Sequence, residues 1–167
     1  GFPDHHAFDY PLLGLTGLAF VALAEGKLRR NPVRTLLGTA GLAVGVSGQV
    51  LAWEAGPLLV VPAGIVVAAL SIVWVRADRS PFAAGVPILV GFAAAAVVTW
   101  GAHTSLGWHT PVVASAPALL AAGAVGVLLV SEGVYRVRPD ERIAAGAVLG
   151  TGAVSVATIA IGFPEAW

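Results

Sequence analysis

Cysteine and methionine are both absent from this 167-residue chain. Without a thiol there is no disulfide, no iron–sulfur cluster and no thiolate metal site, and without a thioether a copper(I) site loses its usual ligands. Charge is scarce as well: Asp, Glu, Lys and Arg make up 11% of residues and sum to zero at neutral pH, which removes the electrostatic basis for holding nucleic acid. Lysine occurs once, against eight arginines, and with the heavy use of Ala, Gly and Val this fits a GC-rich prokaryotic coding bias.

What remains is apolar. Hydrophobic residues are 57% of the chain and the mean hydropathy is +0.88, so too little polar material exists to cover a water-facing surface. A helix crossing about 30 Å of hydrocarbon needs about 20 apolar residues, and the chain supplies several such runs between short polar breaks. The reading is an all-α, polytopic integral membrane helix bundle, one transmembrane domain with spans at about 10–24, 35–53, 57–75, 81–100, 112–131 and 143–163. The first, YPLLGLTGLAFVALA, is short for a span. It is apolar all round, unlike an interfacial helix, and its acidic upstream and basic downstream flanks reverse the order of a signal peptide. Six spans are therefore expected, with five spans plus one interfacial helix as the alternative.

Charge sets the direction. Six spans put residues 25–34, 76–80 and 135–142 on one side, and these turns hold every Lys and Arg in the sequence. The other side receives Asp4, Asp9, Glu54, Glu165 and all four histidines. Cytoplasmic loops collect Lys and Arg, so the expectation is a prokaryotic cytoplasmic membrane, three out–in–out hairpins with basic cytoplasmic turns, and both termini outside. Tyr10, Trp53, Trp100, Trp108 and Trp167 fall at the outer boundary and Trp74 and Tyr135 at the inner one, the headgroup levels that such rings favour. Lys27, Arg29, Arg30 and Arg34 read as an anchor to anionic headgroups. The turns VRADRSPFAAG (75–85) and VRPDERIAAG (137–146) match with one residue's difference in length, a similarity that an internal duplication leaves and an Ala/Gly-rich composition also produces.

The stretch LRRNPVRTLLGTAGLAVGV, residues 28–46, resembles the entry to the first span of ABC-transporter permeases of the lipoprotein-release and macrolide-exporter type. In that family a basic segment with Asn-Pro and Arg-Thr leads into a Gly-rich helix, matched by Arg29, Arg30, Asn31, Pro32, Arg34, Thr35 and Gly41. The resemblance implies a span entered from the cytoplasm. It covers about an eighth of the chain, and the large extracytoplasmic domain that follows in the family has no counterpart here, so ATP-driven export is not carried over.

Helices in lipid associate through close approach of small residues. The candidate faces are Gly41 with Gly45, Ala118 with Ala122 and Gly126, and Gly146 with Gly150, read as packing within the bundle before contact with other subunits. Pro62, Pro87 and Pro117 lie inside spans, where kinks are expected. No ionisable residue falls near a midplane; Glu132, four residues before Arg136, sits at an inner boundary in the order that favours a helical ion pair. Among in-span polar groups, Gln49 stands out, because an amide cannot return all its hydrogen bonds to its own helix and needs a partner across the bundle or a polar cavity.

His5 and His6 in the tail, and His103 and His109 in the loop GAHTSLGWHT, are candidate metal ligands or proton-exchange groups on the outer face. No phosphate-binding glycine loop or nucleophile elbow is present, and catalysis is not expected. No cofactor is implied, although a bundle of this kind has room for a bound lipid or pigment. The expected role is a non-catalytic subunit of a larger membrane complex, of the energy-transducing or respiratory kind, with the bilayer and other membrane subunits as partners. The competing readings are a small-solute or ion transporter using Gln49 and the proline kinks, and an outer-face metal or pH sensor using the histidines.

Overall fold

A computed structural model describes residues 6–24, 31–52 and 56–138, together with 146, 147, 150, 151 and 153. Among the described residues the fold is all-helical, with five helices: α1 His6–Ala24, α2 Pro32–Ala52, α3 Gly56–Arg76, α4 Pro81–Leu106 and α5 Pro111–Val137. Three of them, α2, α4 and α5, are long and apolar enough to cross a membrane. The described apolar stretches of α1 and α3, Tyr10–Ala24 and Pro62–Arg76, are shorter. The expected span 143–163 lies almost wholly outside the described residues, so the bundle seen here has five helices and not six.

Local chemistry explains the helix ends. Asn31 precedes Pro32, and its Oδ1 accepts from the Arg34 amide at 3.0 Å, which makes the Asn-Pro pair a cap followed by a proline at the first helical position. Ser80-Pro81 and Thr110-Pro111 repeat the device, with the Ser80 and Thr110 hydroxyls accepting from Ala83 N and Val113 N. Gly107, with φ +65°, closes α4 in the left-handed region. Both long helices run beyond their expected ends at residues 100 and 131: His103 sits in the last turn of α4 rather than in a loop, and Glu132 and Arg136 are helical. The helices run through Pro62, Pro87 and Pro117.

Packing does not follow the chain. The neighbours are α1 with α2, α2 with α4, α4 with α5, and α5 with α3, so α3 and α4 touch little despite the four-residue turn between them. The expected α3–α4 hairpin is thus open. Glycine placement gives the reason. A Cβ on Gly85 would run into Leu128 of α5, and one on Gly91 would come within 3.1 Å of the Thr39 carbonyl and of Leu42 on α2. With both glycine faces occupied, α4 lies between α2 and α5. The core of Leu42, Val46, Ile88, Phe92, Val67 and Leu128 fills the space between, and the Phe20 and Phe92 rings meet edge to face at 6.2 Å. Leu18, Leu36, Ile65, Val97 and Leu129 are exposed, one or more on each helix.

Candidate functional site

Three polar clusters are built on this frame. The first is inside the bundle. Gln49, 1% exposed, donates from Nε2 to Thr16 Oγ1 at 3.0 Å, and Thr16 in turn donates to the Leu12 carbonyl at 2.9 Å. Gly45, one turn before Gln49, lets α1 approach until the Leu12 carbonyl and the Thr16 amide would lie 3.2 Å from an added Cβ. The amide therefore finds its partner on α1. Gly41 lies beside the same contact, where an added Cβ would come within 3.5 Å of Ala19 and Leu15. The other buried hydroxyls mostly return to their own helices, as Ser47 does to Ala43 O and Ser71 to Val67 O. Thr99, 3.2 Å from Ala96 O of its own helix, also reaches across to Ala114 O of α5 at 2.8 Å, and Ser131 Oγ is buried without a partner among the described residues.

The second cluster closes the histidine end. The Leu51 carbonyl, in the last turn of α2, accepts from Trp108 Nε1 at 2.9 Å and meets His109 Nε2 at 3.1 Å. His103 Nδ1 lies 3.0 Å from the His109 carbonyl. A carbonyl oxygen only accepts, so His103 carries its proton on Nδ1 and His109 on Nε2 in these contacts. The α4–α5 loop thus ties down an otherwise open helix end. His103 and His109 are brought together, but as loop staples, and His109 holds φ +59°. The side chains of His5 and His6 lie outside the described residues. Among the described residues no group of three or more His, Cys, Asp or Glu could hold a metal ion.

The third cluster joins α3, α4 and α5 at the basic end. Glu132 Oε2 accepts from Ser80 Oγ at 2.7 Å and from the Phe82 amide at 3.3 Å, while Oε1 accepts from Arg136 Nε at 2.9 Å. A carboxylate from α5 therefore sits on the N-terminus of α4, where free amides and the helix dipole favour negative charge. Arg138 donates to Asp78 at 2.7 Å, both in left-handed backbone conformations. On the same end Trp74 is buried and donates from Nε1 to the Ala24 carbonyl at 2.7 Å. It is an interior staple between α3 and α1, with its ring turned into the bundle. Tyr10, Trp100 and Trp108 are exposed.

All described arginines, Arg34, Arg76, Arg79, Arg136 and Arg138, lie at this end; Lys27, Arg29 and Arg30 fall outside the described residues. Of the remaining small-residue faces, Ala118 and Ala122 are exposed, a Cβ added to Gly126 would lie 3.9 Å from Thr151 Cγ2, and one added to Gly146 or Gly150 would meet nothing within 4 Å among the described residues. Thr16 and Ser80 carry no expectation in the sequence reading, and Trp108 is read there only as a ring at the outer boundary. The Ser-Pro pair at 80–81 carried a local signal, a helix cap, whereas the roles of Thr16 and Trp108 depend on which helices become neighbours. Comparison with known proteins finds no matching family model, no matching curated protein and no matching solved structure.

Proposed function

We propose that this chain is a non-catalytic integral membrane subunit of a larger membrane protein complex, six-spanning, in a prokaryotic cytoplasmic membrane with both termini outside. The observation that carries the reading is how the bundle uses its polar groups. Gln49, Thr99, Trp74, Trp108 and Glu132 are engaged in holding helices or helix ends together, while every helix keeps large apolar side chains on its outer face. Such a body is stable only against lipid or other apolar helices, and nothing in its described interior offers a reacting group. Energy-transducing and respiratory complexes are the assemblies to search first.

Extraction in a mild detergent, followed by native sizing, mass spectrometry and an absorption spectrum, tests this. Recovery in fixed stoichiometry with other membrane subunits is the expected result. A monodisperse species of the chain's own mass overturns it and brings the transporter reading forward. That alternative requires Gln49 beside a solute path, and its engagement with Thr16 at 1% exposure weighs against it. A cysteine placed at Phe2 and labelled from outside the cell tests the orientation.

A further inference from the structure

We infer that the apolar segment 143–163 docks along α5 as its antiparallel neighbour, seated on the stripe Leu119, Gly123, Gly126 and Val130. The inference rests on the six-span membrane reading above and gives the sixth span its contact surface. α5 reaches the basic end at Val137, and only residues 138–142 precede the next apolar run. So short a connection makes consecutive helices antiparallel neighbours. The structure supplies one point of contact, since a Cβ added to Gly126 would lie 3.9 Å from Thr151 Cγ2. Gly126 stands 12 positions before Arg138 and Thr151 13 after it, the spacing of a chain that turns once and returns beside itself.

Burial decides which faces meet. Leu119, Gly123, Gly126 and Val130 recur at helical spacing and are all half-buried, between a core edge that includes Leu120 and Leu128 and an exposed edge that includes Ala122 and Leu129. On the following segment Ala147 and Thr151, one turn apart, are half-buried, whereas Gly146, Gly150 and Ala153 are exposed. The Thr151 hydroxyl donates to the Ala147 carbonyl at 2.8 Å, so its own helix satisfies it and its methyl group is what faces Gly126. A methyl set against a glycine gives the close approach on which helix association in lipid depends. Antiparallel register carries the contact in both directions: Ala147 falls opposite Val130, and Thr158, two turns beyond Thr151, falls opposite Leu119. Thr158 lies outside the described residues and is placed by this spacing alone. Gly146 and Gly150 are thereby turned from α5.

Because the chain has no cysteine, disulfide trapping of the full chain in native membranes tests this without background. A disulfide needs Cβ atoms about 4 Å apart, and moving one partner by a single residue rotates it about 100° around its helix. Val130→Cys with Ala147→Cys, and Leu119→Cys with Thr158→Cys, are expected to oxidise within one chain, read as loss of thiol labelling at monomer mass. Val130→Cys with Gly146→Cys, and Leu119→Cys with Ala157→Cys, are expected to keep their free thiols. Equal trapping of the test and control pairs overturns the docked face. Disulfides formed only between chains give the stripe to a second copy, and no trapping in either pair gives it to lipid; both results overturn the proposal. If one double variant does not accumulate in the membrane, the other pair and its control decide. A cysteine placed at Ala166 separates these failures from failure of the span itself. Labelling from outside the cell keeps the six-span reading whatever the disulfides show, whereas labelling only after lysis removes that reading and the proposal with it.

Discussion

Replacing Gly45 with alanine tests the contact that holds α1 on α2. The new Cβ would collide with Thr16 Oγ1 and come within 3.2 Å of the Leu12 carbonyl and the Thr16 amide. Two of these three atoms are backbone, and the Thr16 hydroxyl is held between Leu12 and Gln49, so side-chain rotation gives no escape. The helix must move. Overpacking of this kind costs about 1–3 kcal/mol. Separating the helices also loses the Gln49–Thr16 hydrogen bond, for which intramembrane pairs average about 0.6 kcal/mol. Alanine's better helix propensity returns up to about 1 kcal/mol, leaving a net loss of about 1–3 kcal/mol. For a chain of this size that lowers the melting temperature in detergent by roughly 3–10 °C. Gly17→Ala is the matched control, because beyond its own helix backbone and chain neighbours no heavy atom of the described residues lies within 4 Å of its added Cβ, and it should leave the protein as stable or slightly more so. Equal melting of Gly45→Ala and wild type would refute the argument that glycine sets the α1–α2 distance.

A double-mutant cycle with Gln49→Leu and Thr16→Val should give a coupling of about 0.6 kcal/mol and no more than about 1.7, measured by unfolding in mixed micelles; a coupling of zero would mean that the two side chains do not meet. The Gln49→Leu variant alone should leave any reconstituted solute flux unchanged. At the basic end, Glu132→Ala removes the acceptor for Ser80, Phe82 and Arg136 and should destabilise by about 2 kcal/mol, with Ser80→Ala costing about 1. Because the two share one hydrogen bond, the double variant should lose less than the sum, and strict additivity in thermal melting would contradict the shared cap.

The absence of cysteine, the apolar runs and the placement of every Lys and Arg at alternate breaks are properties of the string itself. They specify helices, their approximate length and which ends lie together, because helix periodicity and the preference of charge for one side of a bilayer act locally. The caps at Asn31-Pro32, Ser80-Pro81 and Thr110-Pro111 belong to the same local chemistry, although the extension of α4 and α5 past residues 100 and 131 shows hydropathy alone to be a poor guide to where a capped helix stops. Gln49 was recognisable from sequence as a group that needs a partner, but Thr16 was not recognisable as that partner. Only the tertiary structure decided that α4 packs on α2 and α5, that Trp74 turns inward to Ala24, that Glu132 caps a helix other than its own, and that the arginines of two separate turns share one corner. The physical reason is that apolar helices of similar composition have no hydropathic preference among themselves. Their neighbours are chosen by where a missing Cβ allows backbones to close, and that is a property of paired surfaces rather than of either sequence.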